Sequence, residues 1–151
     1  MTETILWRRE KILDRMAAIA ARIEDVEEAG RNLLFLDAST ARRISVLEGE
    51  EIVSEEPFGN RKASDKSQVL MIPEVLISCG ASRKDLGSDL SMIGGRVIKA
   101  MLTDAELLAL TVNSRSIRYG GMTSDLAFLA LMEGKMSLKF RILYPLDPTG
   151  L

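Results

Sequence analysis

Glu48, Glu50, Glu51, Glu55 and Glu56 form the densest group of potential oxygen ligands in the chain. Hard cations take such ligands, and glycoside chemistry uses two carboxylates at a set separation. Nearness in sequence fixes neither a separation nor a closed cage, so a solvated acidic face, or salt bridges to a neighbouring subunit, is the simpler reading. Asp85, Asp89, Asp104 and Asp125 are spread along the chain without an EF-hand pattern, and helix caps and surface carboxylates account for them.

Cys79 is the only cysteine and histidine is absent. That excludes an internal disulfide, multi-cysteine and His-based zinc sites, His general bases and the usual catalytic triads. Cys79 follows an apolar run, where a free cysteine behaves as a small hydrophobe. Gly94, Gly95 and Arg96 have the residue types of a phosphate cradle but neither the GxxxxGK[ST] nor the GxGxxG spacing. Arg61, Lys62 and Lys66 come nearest to a basic patch. No aromatic residue interleaves with them and the adjoining segment is acidic, so they read as a soluble loop, with an interface or lumen-lining role as the competing reading. Trp7, the only tryptophan, is placed to anchor against another element or chain.

These residues must be positioned by a modest core. The chain has 151 residues, of which 46% are apolar and 28% charged, enough for one ordinary domain and too few for two. Aromatic residues make up 5%, so the core is aliphatic and methionine-rich rather than a stacking platform. Twenty basic and 22 acidic residues give a net charge of -2, which argues against a general nucleic-acid binder held by counterion release. Arg8, Arg9, Glu10 and Lys11 interrupt the Met1 to Ile12 start where a secretory signal needs an apolar run, and no segment reaches the roughly 20 apolar residues of a membrane helix. Synthesis in the cytosol is the expectation.

Ile5, Ile12, Met16, Ile19, Ile23 and Val26 predict an amphipathic helix from about Thr4 to Glu28, with Gly30 as its terminator. Asn32 to Asp37 reads as a short strand or a buried connection. Arg43 to Leu47 and Glu50 to Glu55 flank Glu48 and Gly49 as a hairpin or bent strand pair, and 57–68 as an exposed loop. Val69, Met71, Val75, Ile77 and Cys79 share the core-facing parity of a strand that Pro73 turns into an edge or a bend. Leu86, Leu90, Ile93, Val97 and Met101 predict a helix, and Thr103 with Glu106 a capped short helix through Leu107, Leu108 and Leu110. Val112 to Tyr119 reads as a strand ended by Gly120 and Gly121, and Ser124 to Glu133 as strand or helix. Met136, Leu138, Phe140, Ile142 and Tyr144 alternate in a half-buried strand that Pro145 stops. The sum is one α+β domain over 1–151: a twisted antiparallel or mixed sheet with an N-terminal and a central helix on one face.

Certain landmarks recur in order. The first helix ends in Glu24-Asp25-Val26-Glu27-Glu28-Ala29-Gly30-Arg31-Asn32 and is followed by Arg43-Ile44-Ser45-Val46-Leu47-Glu48-Gly49-Glu50-Glu51. Pro73-Glu74-Val75-Leu76-Ile77 leads into the helix from Leu86 to Leu102, ahead of Ile117-Arg118-Tyr119-Gly120-Gly121 and the strand from Met136 to Tyr144. In order and texture, over most of the chain, this resembles the small tail-terminator or tail-completion proteins of long-tailed bacteriophages and of related prophage or gene-transfer particles.

The resemblance implies a non-enzymatic virion protein that forms a ring, commonly hexameric, at the head-proximal end of a tail tube. The ring would stop tube growth and join the tube to neck or head-completion proteins. DNA would pass through its lumen without sequence-specific binding, and no cofactor, metal or membrane is implied. The expected location is the tail and neck of the virion, after assembly in the host cytoplasm. The resemblance supplies no catalytic residue. Arg61, Lys62 and Lys66 are then loop contacts, Glu48, Glu50 and Glu51 complementary charge for an adjacent protomer, and Trp7 a subunit or rim contact. Three other readings stand beside it: a neck or head-closure adaptor, a small regulatory or peptide-binding module using a sheet edge, and an enzyme using the Glu48 to Glu56 acids with a divalent cation.

Overall fold

Two strictly alternating runs build the centre of the molecule. In the computed structural model, which describes residues 7–35, 41–53, 62–80, 86–126 and 133–150, they lie side by side as antiparallel strands. For orientation, the elements in chain order are α1 (Arg8–Ala20), β1 (Glu28–Arg31), β2 (Arg43–Val53), β3 (Ser67–Gly80), α2 (Leu86–Thr103), α3 (Ala105–Ala109), β4 (Ile117–Leu126) and β5 (Glu133–Leu146). The central pair is β3 and β5, in register from Ser67↔Leu146 to Gly80↔Glu133. Period-two alternation puts Val69, Met71, Val75, Ile77 and Cys79 of β3 on the same face as Met136, Leu138, Phe140, Ile142 and Tyr144 of β5, and all ten are buried.

The five strands run in the order β1-β2-β3-β5-β4. All neighbours are antiparallel except β1 and β2, which are parallel, so the sheet is mixed. Both long helices cover the apolar face. α1 contributes Ile12, Leu13, Met16 and Ile19, and α2 contributes Leu90, Ile93, Val97 and Met101. The α+β architecture with helices on one face is as expected. Gly94 serves the packing of α2: a Cβ there would lie 2.9 Å from the Met136 sulfur.

β2 is one strand rather than a hairpin. Its pairing with β3 slips between Leu47↔Glu74 and Glu50↔Ile72, so Glu48 and Gly49 form a bulge opposite Pro73. Pro73 therefore sits in a central strand, not at an edge. It falls where both ladders skip, between the Met71 and Glu74 pairings with β5 and beside the bulge of β2, where no partner requires its missing N–H.

Several other boundaries are corrected. The first helix ends at Ala20, not near Glu28; its proposed start at Thr4 lies outside the described residues. Asp25 takes a left-handed φ of 68°, and the Glu27 N–H bonds the Arg42 carbonyl instead of continuing a helix. The open side of β2 thus captures the chain as β1, and Gly30 is a strand residue. Within the stretch from Asn32, residues 33–35 are irregular with Leu34 exposed, while Leu36 and Asp37 lie outside the described residues.

Thr103 closes α2 by donating to the Lys99 carbonyl, and the cap of α3 is Asp104, which accepts from the Leu107 N–H at 2.8 Å. Val112–Ser114 is a 3-10 turn rather than strand. β4 begins later and runs through Gly120 and Gly121, absorbing them in a register shift after Tyr119. Ser124 to Leu126 finish this strand, and 127–132 lie outside the described residues. Pro145 does not end β5, because pairing continues to Leu146. Of the loop at 57–68, residues 62–66 are exposed, Ser67 and Gln68 already belong to β3, and 57–61 lie outside the described residues.

Candidate functional site

Three of the candidate residues, Trp7, Glu48 and Glu51, meet where α1 crosses β1 and β2. The helix presents Arg9, Glu10 and Asp14, β1 supplies Arg31, and the bulged part of β2 supplies Glu48 and Glu51. Arg31 bridges three acids: Nη1 lies 2.7 Å from Glu10 and 3.1 Å from Asp14, and Nη2 lies 2.7 Å from Glu48. Arg9 bridges Glu10 and Glu48 at 3.3 Å each and Glu51 at 2.9 Å. Two guanidiniums thus serve four carboxylates.

The bulge is what makes this possible. Glu51 pairs with Met71, whose side chain is in the core, so the slip turns Glu51 toward the helical face. There its Oε1 also accepts from the Tyr144 hydroxyl at 3.0 Å. Burial and then the Glu51 carboxylate push the Tyr144 phenol well above its ordinary value. Trp7 stands at the start of α1, 38% exposed, with the Arg9 guanidinium 5.6 Å from its ring centre.

Hydrogen bonds from Arg31 hold the Glu10 carboxyl below its ordinary value, and those from Arg31 and Arg9 do the same for Glu48. The oxygens of Glu48 are shared between the two arginines, one each. A carboxylate so occupied is a stabilised anion, poorly suited to accept a proton or to close a cation cage. Among the described residues no group of three or more Cys, Asp or Glu is arranged to hold a metal ion. The cluster's chemistry is adhesion: it fastens α1 to the bulged strand.

Glu50 stays exposed, on the opposite face of the sheet from Glu51. Lys62 and Lys66 lie on the exposed turn before β3, where the Lys62 N–H donates to Asp65 Oδ2 at 2.9 Å and the Asp65 N–H returns to the Lys62 carbonyl. Arg61, Glu55 and Glu56 lie outside the described residues. Glu48 and Glu51, expected as charge for a neighbouring protomer, have their carboxylates engaged inside the chain.

The scattered aspartates do not gather. Asp89 pairs with Arg42 at 3.0 Å, while Asp104 takes two bonds from Arg15, at 2.7 and 3.0 Å, besides capping α3. Asp85 and the Asp125 side chain lie outside the described residues. Gly94 and Gly95 are inside α2, and Arg96 pairs with Asp25 at 2.9 Å. Cys79 is buried, and burial pushes its thiol up to about 11, which keeps it a protonated core residue.

Sequence reasoning missed Arg9 and Arg31 as the organisers of the cluster. The one available signal was their position among acids, Arg9 beside Glu10 and Arg31 after Glu27 and Glu28. In comparisons with known proteins, no family model and no curated protein matches the chain.

Proposed function

We propose that the chain is a structural assembly protein that caps the head-proximal end of a phage tail tube as a ring and joins it to the neck. The observation that carries this reading is the pair of open sheet edges. β1 and β4 lie on opposite sides of the sheet, and neither has a further strand beside it among the described residues. β4 is ten residues long and exposes Tyr119 and Met122, at 40% and 50%. A long edge with apolar side chains invites pairing with another chain. Two different edges on one subunit allow a head-to-tail contact, the kind that closes into a ring.

The ordered landmarks of the sequence supply the particular assembly, and the Arg9–Arg31 cluster suits it by holding α1 firmly on the sheet. A peptide laid along β4 is the second reading that the same edge favours. Light scattering across concentration, with negative-stain microscopy of the same sample, tests both. A discrete species of about six chains with a central opening is expected. A monomer at every concentration that takes up a peptide, and that fails to associate with tail tubes, would replace the ring with the peptide-binding module.

A further inference from the structure

On the sheet face away from the helices, Arg115, Arg118 and Arg141 line a groove of about 350 Å³ together with Ser116, Leu70 and Leu143. Arg118 and Arg141 are directly opposite each other in the β4–β5 ladder. Their Cβ atoms are therefore about 5 Å apart, and like charges so placed repel. All three arginines are exposed, and none pairs with a carboxylate among the described residues. By contrast, Arg9, Arg15, Arg31, Arg42 and Arg96 on the helical side of the molecule are each bonded to one.

Arg115 is brought to the groove by a tightly held turn. Asn113 and Ser114 both take left-handed φ, at 56° and 53°. The Thr111 hydroxyl donates to the Leu108 carbonyl and accepts from the Ser116 N–H, and the Ser116 carbonyl accepts from the Leu143 N–H. The turn is thereby sewn to β5 just where the groove's floor begins. Lys139, next on this face of β5, is balanced by Glu74 at 3.8 Å, so the uncompensated charge is concentrated at the three arginines.

We propose that this groove binds phosphate oxyanions. A guanidinium presents a planar fork of donors that matches phosphate oxygens, and three forks around one depression offset the charge of a multiply ionised group better than that of a single carboxylate. An anion seated there relieves the repulsion between Arg118 and Arg141. The proposal stands apart from the ring: it requires only the groove of one chain. The same chemistry is offered by a free phosphate compound and by the backbone of a nucleic acid.

The test is calorimetric titration of the full chain with pyrophosphate at low salt, alongside fluorescence anisotropy with a labelled short DNA duplex. Saturable pyrophosphate binding is expected, weakened at least about tenfold in the Arg118→Gln/Arg141→Gln double variant. It should persist in Lys11→Gln/Lys99→Gln, which removes the same charge from the helical layer. Arg118→Lys keeps the charge without the fork and should fall between. Displacement of pyrophosphate by the duplex identifies a nucleic-acid source, and pyrophosphate binding alone a free one. The arginine double variant should also melt higher than the parent, because it removes a repulsive pair. Equal weakening in the lysine variant, equal competition by polyglutamate, or a lower melting temperature accompanying lost binding would overturn the proposal.

Discussion

Gly49 lies against the carbonyl of Ile72 so closely that a Cβ at position 49 would be 1.9 Å from its oxygen. Its φ of 65° is also left-handed, so both the space and the backbone conformation of the β2 bulge demand glycine. Gly49→Ala should cost at least about 2 kcal/mol in urea unfolding, by strain and displacement of β3. Gly95→Ala is the counterpart. Nothing lies within 4 Å of its added methyl, and α2 should gain about 0.5–1 kcal/mol. Equal effects at the two positions would contradict the bulge.

The clamp on α1 predicts an acid-sensitive stability. The carboxyls of Glu10 and Glu48 are held below their ordinary 4.5 in the folded chain. A lowered value means that the unfolded chain binds protons first as pH falls. Their contribution is therefore complete above about pH 4.5 and is lost below it, as the pH descends through the folded values. Urea midpoints should fall through this range. Arg31→Gln should lower stability by about 1 kcal/mol at pH 7 and flatten the acid loss. A parallel pH curve for the variant would remove Arg31 as the cause.

Asp104 has two roles that separate by substitution. It caps α3 through the Leu107 N–H and receives Arg15 through both carboxylate oxygens. Asp104→Asn keeps a capping oxygen and loses the charge, so its loss reports on the ion pair. Asp104→Ala should lose about 1 kcal/mol more, the value of the cap. Thermal melts of the two variants would then differ, whereas Thr103→Ala, which leaves the cap in place, should leave α3 undisturbed.

Cys79 should be nearly inert in the native state. With its thiol pushed up to about 11, only about a thousandth is thiolate at pH 8, and the sulfur is buried. A disulfide reagent should react slowly with folded protein and at once in urea. Rapid native reaction would mean that the end of β3 opens locally.

The buried faces of β3, β5 and α2 could be read directly, because alternation and helical spacing carry their own geometry. Val69 to Cys79 and Met136 to Tyr144 are buried as their parity requires. Non-local pairing decided the rest. β1 forms because β2 offers an open side, and Gly120, Gly121 and Pro145 remain within strands because a neighbouring strand holds their register. The candidate site was partly legible: Glu48, Glu51 and Trp7 do gather. Their arginine partners reach them from α1 and β1, and no local pattern encodes that meeting. Likewise, the opposition of Arg118 and Arg141 exists only once β4 and β5 are in register.

The order of strands also bears on how the chain reaches this state. β2–β3 and β4–β5 are each neighbours in sequence as well as in space, separated by 13 and six residues, and can zip up before the rest of the sheet. The β3–β5 seam unites strands far apart in the chain, with α2, α3 and β4 between them. Closing that seam requires a long loop to be ordered before most of the core is rewarded, which makes it the slow step of folding. Until it closes, the apolar faces of both strand pairs are open to other chains, so yield on refolding should fall with concentration well before native stability does.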